Sequence, residues 1–344
     1  MRVSTPSAFL LIILTTVTFF SCEKVQRQEI ERNGKGDIRL GGTLNVANSS
    51  TVKSYLPSQI VSATSSEIGL HVHEGLLRLD AKTLKLIPGL AESWSVDDAG
   101  TSYVFILRKG TKFHANPCFG NGSREITAHD FEYSFKQLCS PHSNAFETTF
   151  RNRVTGANEF QDGSAADIAG IKVIDDYTLK IELYKADPSF LFVLAQPSTA
   201  VVSQKATEEY GKKAAVGAGP FEFYNDDNGI TLVRNQDYYR KDAFGNRFPY
   251  IDTLVFKYFQ TREEQLNAFF EHKIDVVSGV YLDPVKQILE QQMADFSGKN
   301  PNYIMQRESE SVGYESYSIY LSNLKGLEDN FMGYRDFSHV QIEQ

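Results

Sequence analysis

The chain of 344 residues has one tryptophan, four methionines and three cysteines. It contains no Gly-x-Ser-x-Gly elbow, phosphate loop, Cys-x-x-Cys or His-Glu-x-x-His, so a hydrolase is a reading by default only. No block of Lys or Arg stands out, and 35 basic against 43 acidic residues leave a net charge of -8. That excludes the basic footprint that phosphate backbones require, and with it a nucleic-acid partner. No apolar run reaches the roughly 20 residues of a bilayer-spanning helix, and neither internal repeats nor low-complexity stretches occur. With one Trp beside 17 Tyr and 24 Phe, the aromatics read as core and as packing between lobes, in preference to a carbohydrate-stacking surface.

The composition is 41% hydrophobic and 23% charged, the balance of a globular protein, and the length suggests about two domains. Arg2, an apolar run from Ala8 to Phe20 and the pair Ser21-Cys22 read as a signal peptide. A Cys at that point resembles a bacterial lipobox, which predicts that Cys22 is lipidated and becomes the mature amino terminus. Phe19 and Phe20 depart from the strict motif, and the alternative is an ordinary signal with a chance cysteine. Residues 23–37 are polar and read as a tether, with the folded body beginning near Ile38.

Thr43 to Ala47 has the composition of a buried strand. Helical spacing covers Ser66 to Leu77, and Leu77–Leu79 with Leu84–Leu86 reads as a hairpin. Alternation predicts strands at Tyr103–Leu107, Thr178–Leu183 and Ile230–Val233. Capping boxes open helices at Thr127 with Asp130 and at Thr261 with Glu264, and Asp283-Pro284 opens another. Strand-like runs at 251–258 and 274–277 flank the Thr261 helix, forming a βαβ unit and a mixed sheet.

Several ordered words then stand out: His73-Glu-Gly-Leu-Leu-Arg-Leu-Asp80, Leu90-Ala-Glu-Ser-Trp94, Gly100-Thr-Ser-Tyr-Val-Phe-Ile-Leu-Arg108, Gly110-Thr-Lys-Phe-His114, Thr127-Ala-His-Asp-Phe131, Gly217-Ala-Gly-Pro-Phe221 and Leu232-Val-Arg-Asn-Gln-Asp-Tyr-Tyr239. Together they resemble the signature of family 5 solute-binding proteins, the dipeptide, oligopeptide and nickel receptors of ABC importers. The resemblance implies an α/β fold of the type II periplasmic-binding-protein kind, with two lobes of mixed sheets and an inserted α+β domain. It places lobe I at 38–60 and 185–277, the inserted domain at 61–184, a hinge at Ser278, and lobe II from 278 to 344. The resemblance covers Gly41 to roughly Tyr320 and the ending after Gly326 is altered, so most of lobe II and its return strands to lobe I are expected to be missing. A vestigial or split-gene fragment is the alternative to a working receptor.

The implied activity is binding without chemistry or cofactor. A peptide would pair by its backbone with the segment matching Val61, Ser62, Ala63 and Thr64, with Phe146 lining the site; the alternative is that these are ordinary loop and core residues. The implied partners are a peptide, ABC permease subunits and, through the lipid, a bacterial membrane, the protein itself being a monomer that faces the periplasm or cell exterior. His71, His73 and Glu74 resemble a metal fragment, but i and i+2 on a helix diverge, so no metal site is assigned. His114 and His129 read as structural, and Trp94 as packing. Once Cys22 is lipidated, Cys118 and Cys139 are candidates for a disulfide, as exported chains pair such residues.

Overall fold

The computed structural model describes residues 32–60, 62–225, 229–281, 303–311, 314–321, 323–327 and 335–342. Cys22, Val61 and the helix expected at Asp283 lie outside them. A small ladder of β1 (Arg32–Asn33) and β2 (Arg39–Leu40) precedes β3 (Thr43–Asn48) and α1 (Ala63–Val72). The hairpin β4 (Leu77–Leu79) and β5 (Leu86–Pro88) follows, then β6 (Ala91–Val96), β7 (Ser102–Leu107), α2 (Ala128–Leu138), α3 (Phe146–Thr149) and α4 (Ala157–Gln161). Next come β8 (Ile171–Asp175), β9 (Thr178–Glu182), α5 (Phe190–Val193), α6 (Gln204–Tyr210), β10 (Phe221–Asn225) and β11 (Ile230–Arg234). The chain continues through β12 (Thr253–Tyr258), α7 (Arg262–Phe270), β13 (Val276–Tyr281), β14 (Tyr303–Ser311), β15 (Tyr314–Leu321), β16 (Leu324–Lys325) and β17 (Gln341–Ile342).

Two sheets organise these elements. The larger has the order β10-β11-β12-β3-β13-β15-β14, and the smaller the order β6-β7-β9-β8. In the larger, β12, β3 and β13 run parallel while the other pairs are antiparallel. Mixed pairing follows from chemistry already visible in the sequence: α7 supplies the crossover that parallel strands need. Its box closes as expected, Thr261 Oγ1 accepting from Glu264 N at 3.1 Å and Thr261 N donating to Glu264 Oε2 at 3.1 Å.

Among the described residues, a helix packs on each face of the larger sheet. Ile68 and Val72, four residues apart on α1, meet Leu44, Val46 and Phe256 on one side. Leu266 and Phe269 of α7 meet Val277 and Ala47 on the other. Thus α1, expected within the inserted domain, belongs by packing to the larger sheet. The smaller sheet has its own core, in which Phe131, Phe135 and Leu138 of α2 pack with Phe105, Leu179 and Phe190. Trp94 is only half-buried against this core.

Three further expectations are revised. The hairpin pairs Leu79 with Leu86, two residues beyond the expected register. Asp80 Oδ1 accepts from Thr83 N and Thr83 Oγ1, both at 2.7 Å, and Asp80 N reaches Lys85 O at 2.9 Å, so the turn consumes Leu84. Residues 303–321, expected in a second lobe, extend the larger sheet through antiparallel pairing of β15 with β13. The chain also returns to that sheet unit: β17 pairs with β16, Phe337 and Val340 are fully buried in the α1-side core, and Tyr250 N donates to Ser338 O at 3.0 Å.

Candidate functional site

Because β12, β3 and β13 are parallel neighbours, their carboxyl ends lie along one edge, the position at which open α/β sheets hold ligands. Asn48 ends β3 and is in register with Tyr258, which ends β12 and is 46% exposed. The Asn48 side chain closes a polar knot: Nδ2 donates to Ser50 O at 2.8 Å, and Oδ1 accepts from Ser50 N at 3.1 Å and Thr64 Oγ1 at 2.8 Å. Ser50 Oγ in turn donates to Thr64 Oγ1 at 2.9 Å. The amino end of α1 is thereby fixed to the carboxyl end of β3.

This arrangement brings Ser62, Ala63 and Thr64 to the edge but changes their geometry. Ser62 is extended (φ -137°, ψ 158°) and caps α1, accepting from Ser65 N at 3.1 Å, whereas Ala63 and Thr64 are already helical. The extended backbone suited to strand-like pairing therefore stops at Ser62, whose own N–H donates to Ser65 Oγ at 3.0 Å. A first helical turn directs its N–H groups along the axis, where they suit a carboxylate or carbonyl better than a paired strand.

Ser278, the expected hinge, is in β13 at the same edge. Arg262, in the first turn of α7, donates from Nη1 to Ser278 O at 2.6 Å and from Nη2 to Gly279 O at 2.9 Å. Phe146 is not at the edge: it is 2% exposed in the core of the smaller sheet. The Cys118–Cys139 bridge is not formed. Both thiols are free; burial pushes Cys139 up to about 12, while Cys118 sits in a half-buried turn whose amide is held by Asn116. A cavity of about 390 Å³ lined by Phe113, Phe119, Glu125, Asp130 and Lys205 shares no residue with the edge.

His71, His73 and His114 are buried within the protein, whereas His129 is exposed. His73 Nε2 bonds Tyr55 O at 2.9 Å, and His114 Nε2 bonds Gly219 O at 3.0 Å. His71 stacks on Phe337 with ring centroids 5.1 Å apart. Burial lowers His71 and His73 to about 4 and His114 to about 3. Glu74 is equally occupied, accepting from Arg78 at 2.8 Å and Tyr238 at 2.9 Å. No group of three metal-ligating side chains occurs among the described residues.

Sequence reasoning missed the partner of that cluster. Asp336 Oδ2 accepts from Arg78 Nη2 at 2.7 Å and lies 3.8 Å from Arg240 Nη1. Burial alone would raise its carboxyl, but the charges of Arg78, His339 and Arg240 hold it well below the usual carboxylate range. Two acidic side chains, Glu74 and Asp336, thus meet two basic ones, Arg78 and Arg240, within the protein, which makes the set structural. The separation of Arg78 and Asp336, 258 residues, left no local signal to find.

Comparison with known proteins bears on the family and the fold. Residues 85–324 match the family described as bacterial extracellular solute-binding proteins, family 5 middle. The di/tripeptide-binding protein 1 of Pseudomonas aeruginosa is 31% identical over 215 residues, covering 58% of this chain and 38% of that protein. The dipeptide-binding protein of Escherichia coli is 27% identical over 290 residues, covering 80% and 50%. The chain thus spans half or less of the length of these relatives. The ABC transporter-associated periplasmic binding protein DppA from Helicobacter pylori, solved with the peptide STSA, superposes with a TM-score of 0.60 at 26% identity, covering 78% of this chain and 51% of that one. The fold is that of the type II periplasmic binding proteins, and the chain belongs to the bacterial extracellular solute-binding proteins of family 5.

Proposed function

We propose that the chain is the substrate-binding lipoprotein of an ABC importer, capturing short peptides at the carboxyl edge of β12, β3 and β13 and delivering them to a membrane permease. The observation that carries this reading is the convergence on one edge of the α1 amino end, the Asn48–Ser50–Thr64 knot and the Ser278 carbonyl held by Arg262, in a chain whose relatives are named for dipeptides and tripeptides. Peptide main chains offer the same polar groups whatever the side chains, so such an edge favours affinity without sequence preference. Lipidation at Cys22 would hold the receptor near its permease, and acyl chains beyond one make that anchor stable.

Calorimetry of the chain without its signal segment, against trialanine and mixed tripeptides, tests the reading. Heats that saturate with equal stoichiometry across unrelated sequences are expected. Absence of binding to every peptide would remove peptide capture from this chain. For the anchor, labelled palmitate is expected to enter the wild type and not Cys22→Ser; equal labelling of both would exclude it.

A further inference from the structure

The ladder between β13 and β15 pairs Val277 with Ile319 and then Val280 with Tyr317, with a register shift between them. Two residues of β13, Ser278 and Gly279, therefore oppose the single position 318, which is a bulge. Bulges bend and twist the strand that carries them. Gly279 takes φ +62°, a left-handed conformation that an L side chain adopts only with strain. This bend lies just past Val276, the β13 residue in register with β3, at the candidate ligand edge.

What fixes the bend is a side chain from another element. The Arg262 guanidinium spans the two successive bulge carbonyls, at 2.6 and 2.9 Å. The Nη1 that reaches Ser278 also donates at 2.5 Å to Oε1 of Gln265, a side chain 2% exposed one turn along α7. The fork is thus aimed from behind by a buried amide and from the helix by its own backbone. Two parallel charge-assisted bonds to carbonyls carried on one bend suit a planar guanidinium; a lysine ammonium is a single point donor.

We propose that Arg262 is a positioning residue that latches the β13 bulge and so sets the shape of the ligand edge. Its action on the backbone is independent of the cargo; its effect on affinity rests on the peptide-binding reading above.

Hydrogen exchange measured by mass spectrometry on the full chain tests the latch without any ligand. In Arg262→Ala, exchange of the amides in 276–281 is expected to rise about tenfold or more, with the strand Ser102–Leu107 of the smaller sheet unchanged. Arg262→Lys keeps the charge and most of the stem, and it carries the test should the alanine variant not fold. The lysine variant is expected to show the same local rise, and wild-type exchange in either variant, or a rise spread evenly over the chain, would overturn the latch. For the second arm, trialanine affinity in Arg262→Lys is expected to fall about tenfold with the thermal midpoint nearly unmoved. Unchanged affinity in a variant with raised local exchange would separate the latch from the ligand edge. If the wild type binds no trialanine, the peptide reading fails and the exchange arm still decides the latch.

Discussion

At the scale of single residues, the most consequential contact is between Asp336 and Arg78. Their side chains are 7% and 6% exposed and bond at 2.7 Å. Removing one partner of such a pair leaves the other charged and desolvated, a loss of about 3 to 5 kcal/mol. Asp336→Ala is therefore expected to lower unfolding stability by that amount in a denaturant titration, and a change below about 1 kcal/mol would show Arg78 to be satisfied by Glu74 alone. Residue types told part of this story in advance. Arg78 stands in a recognisable word, but nothing local in the sequence identifies its counter-ion. Phe146 shows the opposite failure: the resemblance implied an aromatic lining the ligand site, and core packing buries this ring.

At the scale of elements, legibility followed locality. The Thr127–Asp130 and Thr261–Glu264 boxes depend on groups three residues apart, and both form. The βαβ unit was legible for the same reason, since alternation and helical spacing are properties of short windows. The start of α1 was not. Ser62 caps a helix through Ser65, and Thr64 is drawn to Asn48. These hydroxyl contacts outweigh the extended conformation inferred from resemblance. Likewise, β16 and β17 are two residues each and separated by residues that carry no alternation, so their pairing depends on the buried Phe337 and Val340 rather than on strand propensity.

At the scale of the molecule, the buried histidines make folding pH-dependent. All three have folded values below the ordinary 6.5, because burial penalises the charged imidazolium. The unfolded chain takes up protons near pH 6.5 that the folded chain refuses until about 4 for His71 and His73 and about 3 for His114. Their contribution is therefore complete above pH 6.5 and lost as the pH falls toward 4, each histidine adding a slope of up to about 1.4 kcal/mol per pH unit. Asp130 and Asp275, whose carboxyls are raised by burial, oppose this. The thermal midpoint is expected to be nearly flat above pH 7 and to drop steeply between pH 6.5 and 4. A midpoint constant down to pH 5 would mean that these rings gain protons without cost.

The strand order of the larger sheet has a further consequence, for the order in which the chain can assemble. β3 is the first strand of that sheet to be synthesised, yet its two neighbours are β12 and β13. Residues 43–48 must therefore wait for partners at 253–258 and at 276. The smaller sheet has no such delay: β6, β7, β8 and β9 all fall between residues 91 and 182, so its loops close at lower entropic cost. Until the strand of 253–258 arrives, β3 is an apolar segment without a ladder, and the edge that it shares with Thr64 and Ser278 has no partner strands to define it.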